Sequence, residues 1–167
     1  MFKLMPFVAA ALAVAVQESP AQAIVGPDAA SCRPGAKGPA FLVNVSGFKN
    51  HAGRLRVQLY GGNPADFLAK GKKLKRIDVP VARSGSMAIC VAVPRAGNYA
   101  IAVRHDADAN GKSGWSDGGG FSRNPEISLL DLKPKLKEVV VPVGAGVKPI
   151  DVVLNYRRGL NIGPIRN

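Results

Sequence analysis

The sequence predicts an all-β chain folded as a single antiparallel, seven-stranded β-sandwich. Three observations predict it. Short apolar stretches alternate with polar residues at a period of two, Gly and Pro separate them at close spacing, and no segment carries the helical crossover pattern of a parallel sheet. Strands of that length and spacing suit two stacked antiparallel layers.

The chain opens "MFKLMPFVAAALAVAVQESPAQA", with Lys3 before an apolar run from Leu4 to Val16 and small residues closing at Ala23. This is the pattern of a secretory signal peptide over residues 1–23. The run is about 13 residues, short of the roughly 20 that cross a bilayer. The mature chain is therefore expected to be periplasmic or secreted, with no transmembrane span after cleavage. Residues 24–39, rich in Ala, Gly and Pro, read as an irregular lead-in.

A β-sandwich domain is expected over 40–157. "FLVNV" turns Phe41, Val43 and Val45 to one face, and "RLRVQLY" does the same with Leu55, Val57 and Leu59. "GFKNHAG" between them is short enough for a hairpin, with Gly47 and Gly53 at its ends. In "NPADFLAKG", Asn63 can cap one helical turn that Gly71 ends. "KGKKLKR" reads as an exposed charged loop, and "IDVPVA" as an edge strand because Pro80 has no N–H to give a ladder. "MAICVAVP" is apolar on both faces and suits a central strand; "YAIAVRH" puts Tyr99, Ile101 and Val103 on one face. "EVVVPV" and "VKPIDVVLNY" close the set around the turn "GAG", and residues 158–167 read as a basic, loosely ordered tail.

The formal net charge is +12. Export argues against nucleic acid, so the expected counter-charges are anionic lipid headgroups, lipopolysaccharide or cell-wall polymers, with a glycan or a protein as other partners and a solvated basic surface as the plainer reading. Cys32 and Cys90 are an even count for an oxidising compartment and are expected to form one disulfide. "AASC" faintly resembles a lipoprotein cleavage box, so lipidation of Cys32 is the competing use, weakened by Ala29 standing three positions before the cysteine.

"VPRAGNYAIAVRHDADANGK", then "GGGFSRNP" and two closing strands, resembles the exported bacterial family catalogued as domain of unknown function 2141. The matching positions are Gly97, Tyr99, His105, Asp106, Asp108, Asn110 and Gly111, then Gly120, Phe121, Ser122 and Asn124. The resemblance spans Phe41 to Tyr156; "RAG" stands where Pro-Pro-Gly is more usual, and "KPKLKE" lacks an aromatic. It implies an Ig-like or prealbumin-like sandwich similar to transthyretin and carboxypeptidase-regulatory modules. Such modules mostly bind or support, so the expected role is a non-enzymatic binding or structural module of the cell envelope.

The chemistry concentrates in "DADANGKSGWSD", Asp106 to Asp117. A twelve-residue calcium loop takes side-chain oxygens from positions 1, 3, 5 and 12, a carbonyl from 7, and a glycine bend at 6. Counted from Asp106, these are Asp106, Asp108, Asn110 and Asp117, with the Lys112 carbonyl and Gly111. Calcium is thus the candidate cofactor. The flanks are a strand and a glycine run in place of helices, and Arg104 and Lys112 add opposing charge. The same residues also make a metal-free turn, because Asp and Asn bond backbone two residues on and Gly111 supplies a positive φ. Both readings stand at this point. His105 beside Asp106 suggests, as the alternative function, an envelope hydrolase; otherwise His105 and Trp115 are expected on a ligand or partner surface.

Overall fold

The computed structural model describes residues 22–165. The signal-peptide assignment lies, apart from Gln22 and Ala23, outside the described residues, as do the last two residues of the tail. The chain folds into two sheets. β1 (Ile24–Val25), β5 (Met87–Ala92), β2 (Ala40–Ser46) and β9 (Val147–Val153) form the smaller in that order. The larger runs β11 (Asn161–Pro164), β10 (Asn155–Arg158), β7 (Gly118–Phe121), β6 (Gly97–Asp106), β3 (Arg54–Gly61), β4 (Lys75–Pro80), with β8 (Val141–Val143) added to β6.

The two sheets share one interior. Phe41, Val43, Val45, Ile89 and Val91 from the smaller sheet meet Leu55, Val57, Leu59, Ile101 and Val103 from the larger in a single apolar cluster. Apart from Ile89 and Val91, whose strand is apolar on both faces, these are the residues that period-two alternation assigns inward, because successive side chains of a strand point to opposite faces. Burial of each large aliphatic side chain contributes about 1.5–3 kcal/mol.

The expected seven-stranded, wholly antiparallel arrangement is corrected: eleven strands lie among the described residues, and one sheet is mixed. All pairs in the larger sheet are antiparallel, but β2 pairs β9 in parallel, as does β1 with β5. The expected hairpin "GFKNHAG" is also corrected. β2 pairs with β5 and β9, β3 with β6 and β4, so the segment crosses from one sheet to the other. The "GAG" turn likewise links β8 of one sheet to β9 of the other. "VKPIDVVLNY" is two strands in different sheets, broken at buried Leu154, whose N–H bonds the Ser46 carbonyl. "EVVVPV" begins inside a short helix, α1 (Leu136–Val139).

Other elements follow expectation more closely. β4 is an edge strand ending at Pro80. Residues 63–71 form linked turns in place of a helical turn, with Asn63 Oδ1 accepting the Ala65 N–H. Lys75 and Arg76 belong to β4 and not to the charged loop. The lead-in is ordered: β1 and a 3-10 turn, Ala29–Cys32, lie beside β5, where Cys32 and Cys90 are bonded with Cα atoms 5.8 Å apart. That bond removes lipidation of Cys32 as a reading of this structure. The tail pairs as β11 with β10 before leaving the described residues.

Candidate metal centre

Asp106 is the last residue of β6 and Gly118 the first of β7, so the acidic loop is the connection of one antiparallel pair. Gly53 sets the floor of this end. Its φ is +77°, and a Cβ there would lie 2.0 Å from the Asp106 carbonyl oxygen, so only glycine admits this approach. The glycines of β7 have a similar role: a Cβ on Gly118 would sit 2.4 Å from the ring of Tyr156 on the neighbouring strand, and one on Gly120 2.7 Å from the Val153 carbonyl of the other sheet.

The fold gathers Asp106, Asp108 and Asp117 so that one carboxylate oxygen of each lies within 4.8 Å of the others. Like charges at that range repel by roughly 1 kcal/mol in water and about 3 kcal/mol near a protein surface. Backbone donors answer much of this. Asp106 Oδ2 accepts the Gly111 N–H at 2.9 Å, and Asp117 accepts from Ala107 at 3.3 Å and Gly114 at 3.1 Å. The Asx bonds expected from the sequence are present. Asp108 Oδ1 takes the Asn110 N–H at 3.2 Å, and Asn110 Oδ1 takes the Lys112 N–H at 2.7 Å. Gly111 has the anticipated positive φ, at +77°, and Ala109 adds a second left-handed residue at +56°.

Arg104 binds the loop from the outer face. Its guanidinium lies 3.3 Å from Asp106 Oδ2 and donates to Ser113 Oγ at 2.9 Å and the Gly111 carbonyl at 3.1 Å. Sequence reasoning saw only an opposing charge here; the bonds to Ser113 and Gly111 depend on loop curvature that spacing does not reveal. Three carboxylates against one guanidinium still leave two negative charges. The remaining oxygen, Asp106 Oδ1, is buried with no hydrogen-bond partner among the described residues, on a side chain only 2% exposed. A buried acceptor left bare costs about 1–3 kcal/mol, and more when charged. Oxygen donors, surplus negative charge and a bare buried oxygen suit a hard cation such as calcium. Asp106, Asp108 and Asp117 are thus brought together, with Asn110 and Lys112 in the same turn. Lys112 offers its carbonyl as its only ligand.

His105 is corrected. It is fully buried, so it belongs to no ligand surface. Nε2 lies 2.8 Å from the Ala52 carbonyl, which can only accept, and Nδ1 lies 2.6 Å from the Tyr156 hydroxyl. Nε2 therefore carries the proton and Nδ1 accepts from Tyr156, whose oxygen also accepts the Lys49 N–H at 3.2 Å. Phe48 and the imidazole pack edge to face, with ring centroids 5.4 Å apart. Both nitrogens of this buried histidine are thus engaged inside the fold. His51 is exposed, bonds the Ala82 carbonyl and is not part of the carboxylate cluster. Trp115 is on the surface as expected, 75% exposed, with the Arg157 guanidinium 3.3 Å above its ring.

The second motif acts in clamping. Buried Ser122 Oγ accepts the Ile101 N–H and donates to the Val139 carbonyl, joining β6 to α1. Asn124 donates to the Asp151 carbonyl and accepts the Val153 N–H, holding the end of β7 to β9. Tyr156 was not legible as a site residue, since its partners, Lys49 between β2 and β3 and His105 in β6, lie more than 50 positions away.

The model of a family described as an uncharacterized protein conserved in bacteria (DUF2141) matches residues 43–151. No curated protein and no solved structure matches the chain.

Proposed function

The chain belongs to that bacterial family, and we propose that it is an exported, non-enzymatic binding module of the cell envelope whose β6–β7 loop takes calcium. One observation carries the reading: three aspartates converge while Asp106 Oδ1 is buried without a donor. The ion would be held by Asp106, Asp108, Asn110, Asp117 and the Lys112 carbonyl. It would cancel the carboxylate repulsion and stiffen the loop that presents Trp115. Export is supported by the Cys32–Cys90 disulfide, since such bonds persist in oxidising compartments. No helix among the described residues is long and apolar enough to cross a membrane. The charge of +12 favours encounters with anionic envelope surfaces. The non-enzymatic role is supported by the engagement of His105 with Ala52 and Tyr156.

Calorimetry with calcium tests this. Extracellular sites work at about 10⁻⁴ to 10⁻³ M, and saturable heat in that range is expected. At tenfold excess over Kd the protein should gain about 1.4 kcal/mol, a rise of several degrees in Tm. Asp106→Asn should abolish that calcium-dependent rise while leaving Tm in chelator nearly unchanged. Absence of both heat and Tm rise at millimolar calcium would leave only the metal-free turn.

A further inference from the structure

A second feature lies on the outer face of the larger sheet. One half of a groove there, about 550 Å³, is walled by Trp115, Phe121, Ile127, Leu129, Leu132 and Ile162. The adjoining half, about 490 Å³, is lined by Lys70, Lys73, Lys133 and Arg104 around Tyr60. Gly119, Phe121 and Leu132 border both halves, so one ligand can lie across them. Each volume falls within the ~300–1,000 Å³ of small-molecule sites.

The two halves differ in chemistry. Lys70, Lys73 and Lys133 form no ion pair among the described residues, and Asp117 is the one carboxylate along either wall. The other half leaves Leu132 53% and Trp115 75% exposed beside half-buried Phe121, Ile127 and Leu129. Bare cations adjoining a largely apolar trough, in which Asn155 and the Arg157 guanidinium over Trp115 are the main polar groups beside Asp117, match a molecule with an anionic head and a single apolar chain. A free phosphate would leave the trough empty, and a sugar would meet mostly aliphatic walls.

We propose that this groove binds a single-chain anionic amphiphile, its chain along Phe121 and Leu132 and its phosphate against Lys70, Lys73 and Lys133. The site adjoins the calcium reading: of the proposed ligands only Asp117 lines it, while Arg104, Ser113 and Trp115 of the same loop region also stand along its walls.

Trp115 is the only tryptophan, and it stands in the wall. Its fluorescence therefore reports occupancy. Titrating the purified protein with myristoyl lysophosphatidylglycerol below its micelle concentration should give a saturable blue shift. Lysophosphatidylcholine of the same chain should bind at least tenfold more weakly, and glycerol phosphate should give no shift. Lys73→Glu with Lys133→Glu, and separately Leu132→Asp, should each weaken binding at least tenfold with circular dichroism unchanged; these side chains are at the surface. Equal binding of the choline lipid, an equal response to glycerol phosphate, indifference to the variants, or a response only to phosphatidylglycerol vesicles would each overturn the proposal. Amphiphile binding retained in Asp106→Asn, with calcium heat lost, separates the two sites. Calcium heat without any amphiphile response removes the groove alone.

Discussion

Tyr156 shows how much one side chain organises. It is 2% exposed, its ring fills the space that Gly118 leaves, and its hydroxyl joins Lys49 to His105. Burial pushes the hydroxyl up to about 12; the Lys49 N–H works against that shift and the charge of Asp117 adds to it. A tyrosine in the unfolded chain ionises near 10. The fold thus prefers the protonated phenol, so its contribution is complete below about pH 10 and is lost as pH rises toward 12, about 2–3 kcal/mol in all. Urea unfolding between pH 8 and 11.5 should show stability falling along this limb. Tyr156→Phe should flatten the limb and lower stability at neutral pH by about 1–3 kcal/mol, because His105 Nδ1 loses its donor. An unchanged alkaline slope in the variant would contradict the assignment. The sequence, by contrast, pointed to His105 as a surface or catalytic group. A histidine beside an aspartate at a strand end has the same local pattern in either role, and only Ala52 and Tyr156 decide between them.

Among the elements, the connection between β2 and β3 matters most to the site. Gly53→Ala should cost more than the roughly 1–2 kcal/mol of a left-handed alanine, because its Cβ would meet the Asp106 carbonyl at 2.0 Å. Gly35→Ala is the control: its φ is +80°, but no atom lies within 4 Å of the added Cβ, so only the backbone penalty applies. Chemical denaturation should rank the two in that order, and Gly53→Ala alone should weaken calcium binding. Equal costs would mean that the loop floor yields freely. The core strands were legible because alternation states which side chains face inward. Their neighbours were not. "GFKNHAG" and "GAG" have the length and glycines of hairpins, yet both cross between sheets. A strand with one apolar face is satisfied by any partner that leaves this face inward.

Taken whole, the molecule is a two-sheet core with its N-terminal lead-in fastened across β5. Ile24 and Leu42 pack around the Cys32–Cys90 bond, and Lys75 meets Asp28 at 2.6 Å. The bond spans 58 positions, for which the chain-entropy account gives about 4 kcal/mol. Reduction, or the paired change Cys32→Ala with Cys90→Ala, should lower Tm by about 10 °C at 2–4 °C per kcal/mol. Calcium binding should survive, since the loop lies on the other sheet. A Tm unmoved by reduction would show that packing alone holds the lead-in.

Its two cysteines left a disulfide and lipidation open, but the sequence by itself determined the all-β class, the inward faces of β2, β3 and β6 and the residues of the acidic turn. These rest on local periodicity, residue type and counting, which survive without coordinates. Tertiary structure alone decided strand partners, the burial of His105 behind Tyr156, the bare oxygen on Asp106 and the meeting of Lys70, Lys133 and Phe121 in one groove. Each of those depends on residues far apart in the chain reaching contact distance, and one-dimensional spacing carries no such distances.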